Sequence, residues 1–140
     1  MVVAQPQHYR NLEAWQRGIE LILLAYAVAE RLPPSEKYEL ARQIRRAATS
    51  VPANVAEGHE RRGKGYLHHV RIALGSLAEL QTHVEVAVRL EYVKPSEIED
   101  FAKKATSTAQ VIHGLRRSIH RRLLAKVGAT TTIVLLLLLI

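Results

Sequence analysis

At 140 residues, with no cysteine and a formal net charge of +7, the chain has the length of one domain and can form no disulfide, thiol nucleophile or thiolate metal site. Its 20 Lys and Arg against 13 Asp and Glu point to acidic partners, nucleic acid or anionic lipid, and say nothing of fold. Met1 to His8 lack the basic-then-apolar layout of a signal peptide, so a cytoplasmic location is the expectation.

Leu12, Trp15, Ile19, Ile22, Tyr26 and Ala29 recur at three and four residues, the seam of a first amphipathic helix. Asn11 is placed to cap it, and Pro33-Pro34 stops it after Leu32. Leu21, Leu23 and Leu24 fall outside that seam and widen the apolar arc beyond what one bundle buries. Ser35 is the expected cap of a second helix, with Glu36 favouring its positive end. Glu39 sits within reach of Arg42 or Gln43.

In this second segment Ile44, Ala48, Val51 and Val55 are spaced four, three and four across Pro52. An interior proline removes a backbone hydrogen bond and crowds the carbonyl four residues back, yet the apolar phase survives it. One continuous, kinked helix is predicted, with the Thr49 and Ser50 hydroxyls serving the freed backbone groups and Gly58 ending it. Residues 58–65 interleave three glycines with three cations and read as a solvated connector. They lack the Gly-x-x-x-x-Gly-Lys-Ser/Thr pattern of a phosphate loop.

Leu67, Val70, Leu74, Leu77, Val84 and Val88 mark a third helix, in which Gly75-Ser76 predicts a close approach to the proline-bearing one. Ser96-Glu-Ile-Glu99 reads as a capping box for a fourth helix carrying Ile98, Phe101, Ala105, Ala109, Ile112, Leu115 and Ile119. The expected fold is all-α, an antiparallel up-down-up-down four-helix bundle over residues 1–126 with a proline-kinked second helix. Residues 127–140 form an apolar tail, shorter than the roughly 20 residues that span a bilayer and prone to aggregate when exposed. Either it lies against a partner or detergent-like surface, or it is a frame-shifted or artefactual end.

Catalytic chemistry finds little support. A di-iron bundle needs Glu-x-x-His, which is absent, and Glu79 with His83 is a lone pair better suited to a surface contact. No Gly-x-Ser-x-Gly elbow surrounds Ser50 or Ser76. Glu57 and Glu79 could face each other as an acid–base pair, but read more simply as partners of Arg45, Arg46 or Gln43, or as acceptors around Asn54. No catalytic residue, metal or cofactor is assigned. The positive excess lies in residues 58–65 (+2) and 95–126 (+4). Candidate phosphate contacts are therefore Arg45, Arg46, Arg61, Arg62, Lys64, Arg116, Arg117, Arg121, Arg122 and Lys126. Tyr66 and Tyr92 are the only aromatics near cations, so stacking on single strands is not expected to dominate.

Four pieces in order carry a resemblance: Leu12-Glu-Ala-Trp15; Leu32-Pro-Pro-Ser-Glu36; Gln43-Ile-Arg-Arg-Ala-Ala48 with Ser50-Val-Pro-Ala-Asn-Val-Ala-Glu-Gly58; and Ile72-Ala-Leu-Gly-Ser-Leu-Ala-Glu-Leu80. Between residues 9 and 120 the chain resembles the four-helix-bundle family encoded by intervening sequences in bacterial 23S rRNA genes. That resemblance implies antiparallel bundles assembled as ring-shaped homopentamers. A related branch is the accessory protein of diversity-generating retroelements, where a basic pentamer engages RNA and a reverse transcriptase. Asn54, Glu57, Gly75 and Glu79 then belong to bundle structure or subunit contact. The function expected is a non-enzymatic, oligomeric bundle associated with RNA through a basic surface, without membrane insertion. The alternative is a protein-interaction scaffold whose basic end meets an acidic protein or a membrane surface.

Overall fold

The computed structural model describes residues 8–138; what the sequence implies for residues 1–7 and 139–140 lies outside the described residues. Apolar side chains at helical spacing give four helices: α1 (Glu13–Glu30), α2 (Leu40–Arg61), α3 (Gly63–Arg89) and α4 (Glu99–Leu138). Short 3-10 turns at Tyr9–Asn11, Pro34–Glu36 and Pro95–Ile98 join or precede them, and no strand occurs among the described residues. Contacts close in a ring, α1 on α2, α2 on α3, α3 on α4 and α4 on α1, which makes a four-helix bundle around one core.

The proline does not break α2. Pro52 is buried inside a continuous helix, and Ile44, Ala48, Val51 and Val55 are all fully buried, as the spacing predicted. The hydroxyls beside it act differently from expectation. Thr49 donates to the Arg45 and Arg46 carbonyls, and Ser50 bonds Ser76 across the α2–α3 interface, so among the described residues neither reaches the Ala48 carbonyl.

The predicted seam of α1 is shifted: Leu12, Trp15 and Ile22 pack against the edge of the core and Ala29 lies in it, but smaller residues make its centre. Ala14, Gly18, Leu21, Ala25, Val28 and Ala29 are buried, whereas Ile19, Leu23 and Tyr26 are exposed. Leu21 thus belongs to the core. The cause is a close approach to α2: a Cβ on Gly18 would lie 3.0 Å from the Pro52 Cβ and 3.3 Å from its Cδ. A small-residue stripe lets the two backbones meet over the proline ring, and bulkier neighbours are pushed to the flanks.

Three expected caps are displaced. Asn11 ends the first 3-10 turn and α1 begins after Leu12 with no side-chain cap. Ser35 lies inside the Pro34–Glu36 turn, and it is the Glu36 carboxylate that accepts the Leu40 N–H, at 3.1 Å. Glu39 makes no side-chain pair with Arg42 or Gln43; its carbonyl accepts the Gln43 N–H. The box before α4 sits two residues early, with the Lys94 N–H donating to the Glu97 carboxylate and the Glu97 N–H to the Lys94 carbonyl. The rigid φ of Pro34 and Pro95 favours a tight 3-10 turn first, and the nearest carboxylate reaches the amide it exposes.

The predicted connector over residues 58–65 is not a loop. Gly58 is buried within α2, where a Cβ would meet the His69 Cβ at 2.9 Å and Tyr66 at 3.1 Å. The chain reverses at Arg62 alone, with φ 57° and ψ 175°, followed by Gly63 at φ 53°. Gly58 therefore serves packing, and the turn falls to an arginine in a region that side chains rarely occupy. Gly75, by contrast, meets nothing within 4 Å, and it is Ser76 that faces α2.

At its other end α3 closes with the Tyr92 N–H on the Ala87 carbonyl and the Glu91 N–H on the Val88 carbonyl. Glu91, at φ 60°, takes the left-handed position that such an ending requires. Helix α4 runs unbroken to Leu138, so residues 127–138 of the apolar tail are helical and continuous with the bundle. Leu124, Val127 and Ile133 through Leu138 are exposed. No helix among the described residues is long and apolar enough to cross a membrane.

Candidate nucleic-acid interface

Two polar regions distinguish the bundle. The first lies along α2–α3. Ser50 and Ser76 share a hydrogen bond of 2.8 Å, and Asn54 Nδ2 donates to the Ser50 carbonyl and hydroxyl at 2.9 and 3.1 Å. With its amide nitrogen so committed, Asn54 Oδ1 accepts from His69 Nδ1 at 2.9 Å, which fixes that tautomer. The other ring nitrogen lies 3.6 Å from Glu57, to which Arg61 donates at 2.8 and 3.0 Å. The Arg61 hydrogen bond holds the Glu57 carboxyl below its ordinary range, against partial burial and with the His69 charge adding to the effect. Glu79 bonds only His83, at 3.4 Å. Glu57 and Glu79 thus have separate partners, neither of them Arg45 or Arg46. Among the described residues no cluster of three His, Asp or Glu could hold a metal.

The second region is the corner where the α2–α3 turn meets the middle of α4, from Leu115 to Lys126. A cavity of about 340 Å³ opens there, lined by Arg62, Arg122 and Lys126 at its rim and by Tyr66, Ile119 and Leu123 among its apolar walls. Burial pushes the Tyr66 hydroxyl up, and the nearby Arg122 guanidinium pulls it part of the way back. Tyr66 packs edge-on against His59, with centroids 5.8 Å apart. The His59 Nδ1 has no hydrogen bond, the Glu60 carboxylate being 3.5 Å away. Two shallower grooves flank the corner. Arg71, His113 and Arg116 line one; Lys64, His68, Arg71 and His120 line the other. No Asp or Glu lines any of the three.

The ten candidate cations are therefore not one patch. Arg62, Arg122 and Lys126 share the corner cavity, Lys64 and Arg116 lie in the flanking grooves, and Arg121 is exposed one residue before Arg122. Arg117 lies beside Gly114. Arg61 is engaged by Glu57. Arg45 donates to the Lys37 carbonyl at 2.9 Å, and it stands sixteen residues before Arg61, about 24 Å along the α2 axis. Arg46 stands beside it. Sequence reading noted Tyr66 as an aromatic near cations but missed His59, Arg71 and His113, which the tight reversal at Arg62 brings beside α4 or the corner. The four-residue spacing of Arg62, Tyr66 and Gly58 around that turn was the available signal.

Comparison with known proteins agrees with this architecture. A crystal structure of a protein of unknown function from the S23 ribosomal protein family of Bacteroides thetaiotaomicron VPI-5482 superposes with a TM-score of 0.68. It is 20% identical, and the match covers 74% of this chain and 95% of that one, a likeness of fold. No curated protein matches in sequence. The family model for 23S rRNA-intervening sequence proteins matches residues 10–114, which takes in α1 to α3, the first part of α4 and the Pro52 segment. On that match, over most of its length, the chain belongs to the 23S rRNA-intervening sequence protein family.

Proposed function

We propose that the protein is a non-enzymatic, oligomeric bundle of up-and-down helices, kinked at Pro52, that associates with RNA through its basic corner. One observation carries this reading. The fold brings Arg62 from the α2–α3 turn together with Arg122 and Lys126 from α4, and no carboxylate lines the cavity they share. Phosphates would neutralise these charges by contacts that do not read sequence. Self-association is supported by an exposed stripe on α1, Ile19, Leu23 and Tyr26, spaced four and three, which a second copy would cover. The ring of five follows from the resemblance, and light scattering on the full chain tests it: a monomer at micromolar concentration would overturn it.

The test of the RNA reading is affinity for structured RNA against salt. Each phosphate contact contributes about 0.7 to 0.9 to the slope of log affinity on log salt. Changing Arg62, Arg122 and Lys126 to Gln should flatten that slope without altering the helical spectrum, since all three are exposed. Equal affinity of the native protein and the triple variant at every salt concentration would remove RNA from consideration. The scaffold reading has one observation in its favour: the exposed apolar end of α4, Leu124 to Leu138, directly follows the cations. Vesicles of anionic phospholipid in the same titration separate the two, because a membrane-facing end binds them in preference to RNA.

A further inference from the structure

The corner cavity has more than charge. Its rim is cationic on one side, while Leu12, Tyr66, Leu115, Ile119 and Leu123 give it an apolar body. At about 340 Å³ it falls within the range of small-ligand pockets, about 300 to 1,000 Å³. We infer that this cavity holds a single nucleotide, its phosphate on Arg62, Arg122 and Lys126 and its base against Tyr66 and the leucine–isoleucine wall.

Four features of the corner favour that ligand. The cations have no competing acid, as no carboxylate lines the cavity. Arg122 makes one local bond, to the Ser118 hydroxyl at 3.1 Å, which leaves the rest of its fork of donors for a phosphate. Tyr66 is half-buried and supplies a planar wall beside the charge, which suits a base joined to a phosphate better than an inorganic anion. The match to the family stops at residue 114, so Leu115, Ile119, Arg122, Leu123 and Lys126 lie beyond it. The pocket is completed by the part of α4 that follows the matched residues. The inference rests on the RNA reading for its natural ligand, an unpaired nucleotide of an RNA chain, while the pocket itself can be tested alone.

The probe is adenosine 5′-monophosphate, titrated calorimetrically into the full chain beside inorganic phosphate and adenosine. Saturable binding of the nucleotide is expected, at least about tenfold tighter than either fragment, with Arg122→Gln and Tyr66→Leu each weakening it about tenfold. Arg89→Gln, at the end of α3 away from the turn, should leave it unchanged. Tyr66 packs on Gly58, so a folding defect in Tyr66→Leu is checked by its thermal transition; Arg62→Gln, at an exposed position, carries the same test without that risk. No saturable binding, phosphate binding as tightly as the nucleotide, or indifference to both arginine variants would overturn the pocket. RNA affinity measured in parallel keeps the two ideas apart. Steep salt-dependent RNA binding without nucleotide binding overturns the pocket alone. Nucleotide binding without RNA binding supports the pocket and overturns the RNA reading.

Discussion

The polar seam along α2–α3 and the basic corner at its end use similar side chains in opposite ways. In the seam, Ser76, Ser50, Asn54, His69, Glu57 and Arg61 each meet a partner from the same small set. In the corner, Arg62, Arg122 and Lys126 converge with no acid to meet them. Arg61 and Arg62 are adjacent in sequence, yet one is engaged in the fold and the other is left to solvent. Charge alone therefore does not mark a functional residue. What marks it is charge that the fold gathers and leaves unanswered.

The comparison can be broken most forcefully at Asn54. Asn54→Ala should cost about 1 to 3 kcal/mol in urea unfolding, because it strands the His69 Nδ1–H inside the interface, while Ser50 keeps its bond to Ser76. Polyanion affinity of the folded variant should be unaltered. An unchanged stability would mean that the seam is ornamental. Thr108 offers the converse: its hydroxyl is fully buried in the core with no hydrogen-bond partner. Thr108→Val keeps the shape and removes the stranded group, so a gain of about 1 to 2 kcal/mol is expected in the same assay.

Arg62 sharpens the contrast further. Its φ of 57° and ψ of 175° suit glycine, and strain of this kind costs of order 1 to 3 kcal/mol. After the extra freedom glycine gains in the unfolded chain, Arg62→Gly should still stabilise by about 1 kcal/mol. The same change should weaken polyanion binding. A variant that is steadier and binds less would show that the corner retains this arginine for its charge. The smallest effect concerns pH. Because Arg61 depresses the folded-state value of Glu57, that carboxylate adds stability above its ordinary value of 4.5, and the contribution is lost as pH falls through the depressed value. Glu57→Gln should therefore flatten the acid limb of the stability profile slightly, and an unchanged limb would dissociate Glu57 from the seam.

Much of this was legible in the chain. The spacing of Ile44, Ala48, Val51 and Val55 announced a helix that passes through Pro52, because an apolar phase kept on both sides of a break has no other use. The seam of α1 was read off-centre because Ala14, Gly18 and Ala25 are nearly blank on a hydrophobic pattern, while Ile19 and Tyr26, which lie exposed, are conspicuous. Small residues gain their role only from what approaches them, here a proline ring on another helix. Gly58 failed the same way: glycine suits a helix end and a tight contact equally, and only His69 and Tyr66 decide between them. The corner was half visible. Arg62, Arg122 and Lys126 stood out as charge, but Tyr66 joins them solely because the chain turns back within one residue.

That turn also orders events in time. Asn54 and His69 pair across only 15 residues, whereas Lys104 reaches Glu20 across 84. Closing the shorter span sacrifices less chain entropy, and α2–α3 is the most extensive interface in the bundle. The hairpin of α2 and α3 is thus expected to form first, with α1 and α4 condensing onto it later. An arginine held under strain at its apex would then burden the earliest step of folding, so the stability lost in keeping a charge at that corner would show as slower refolding and not as faster unfolding.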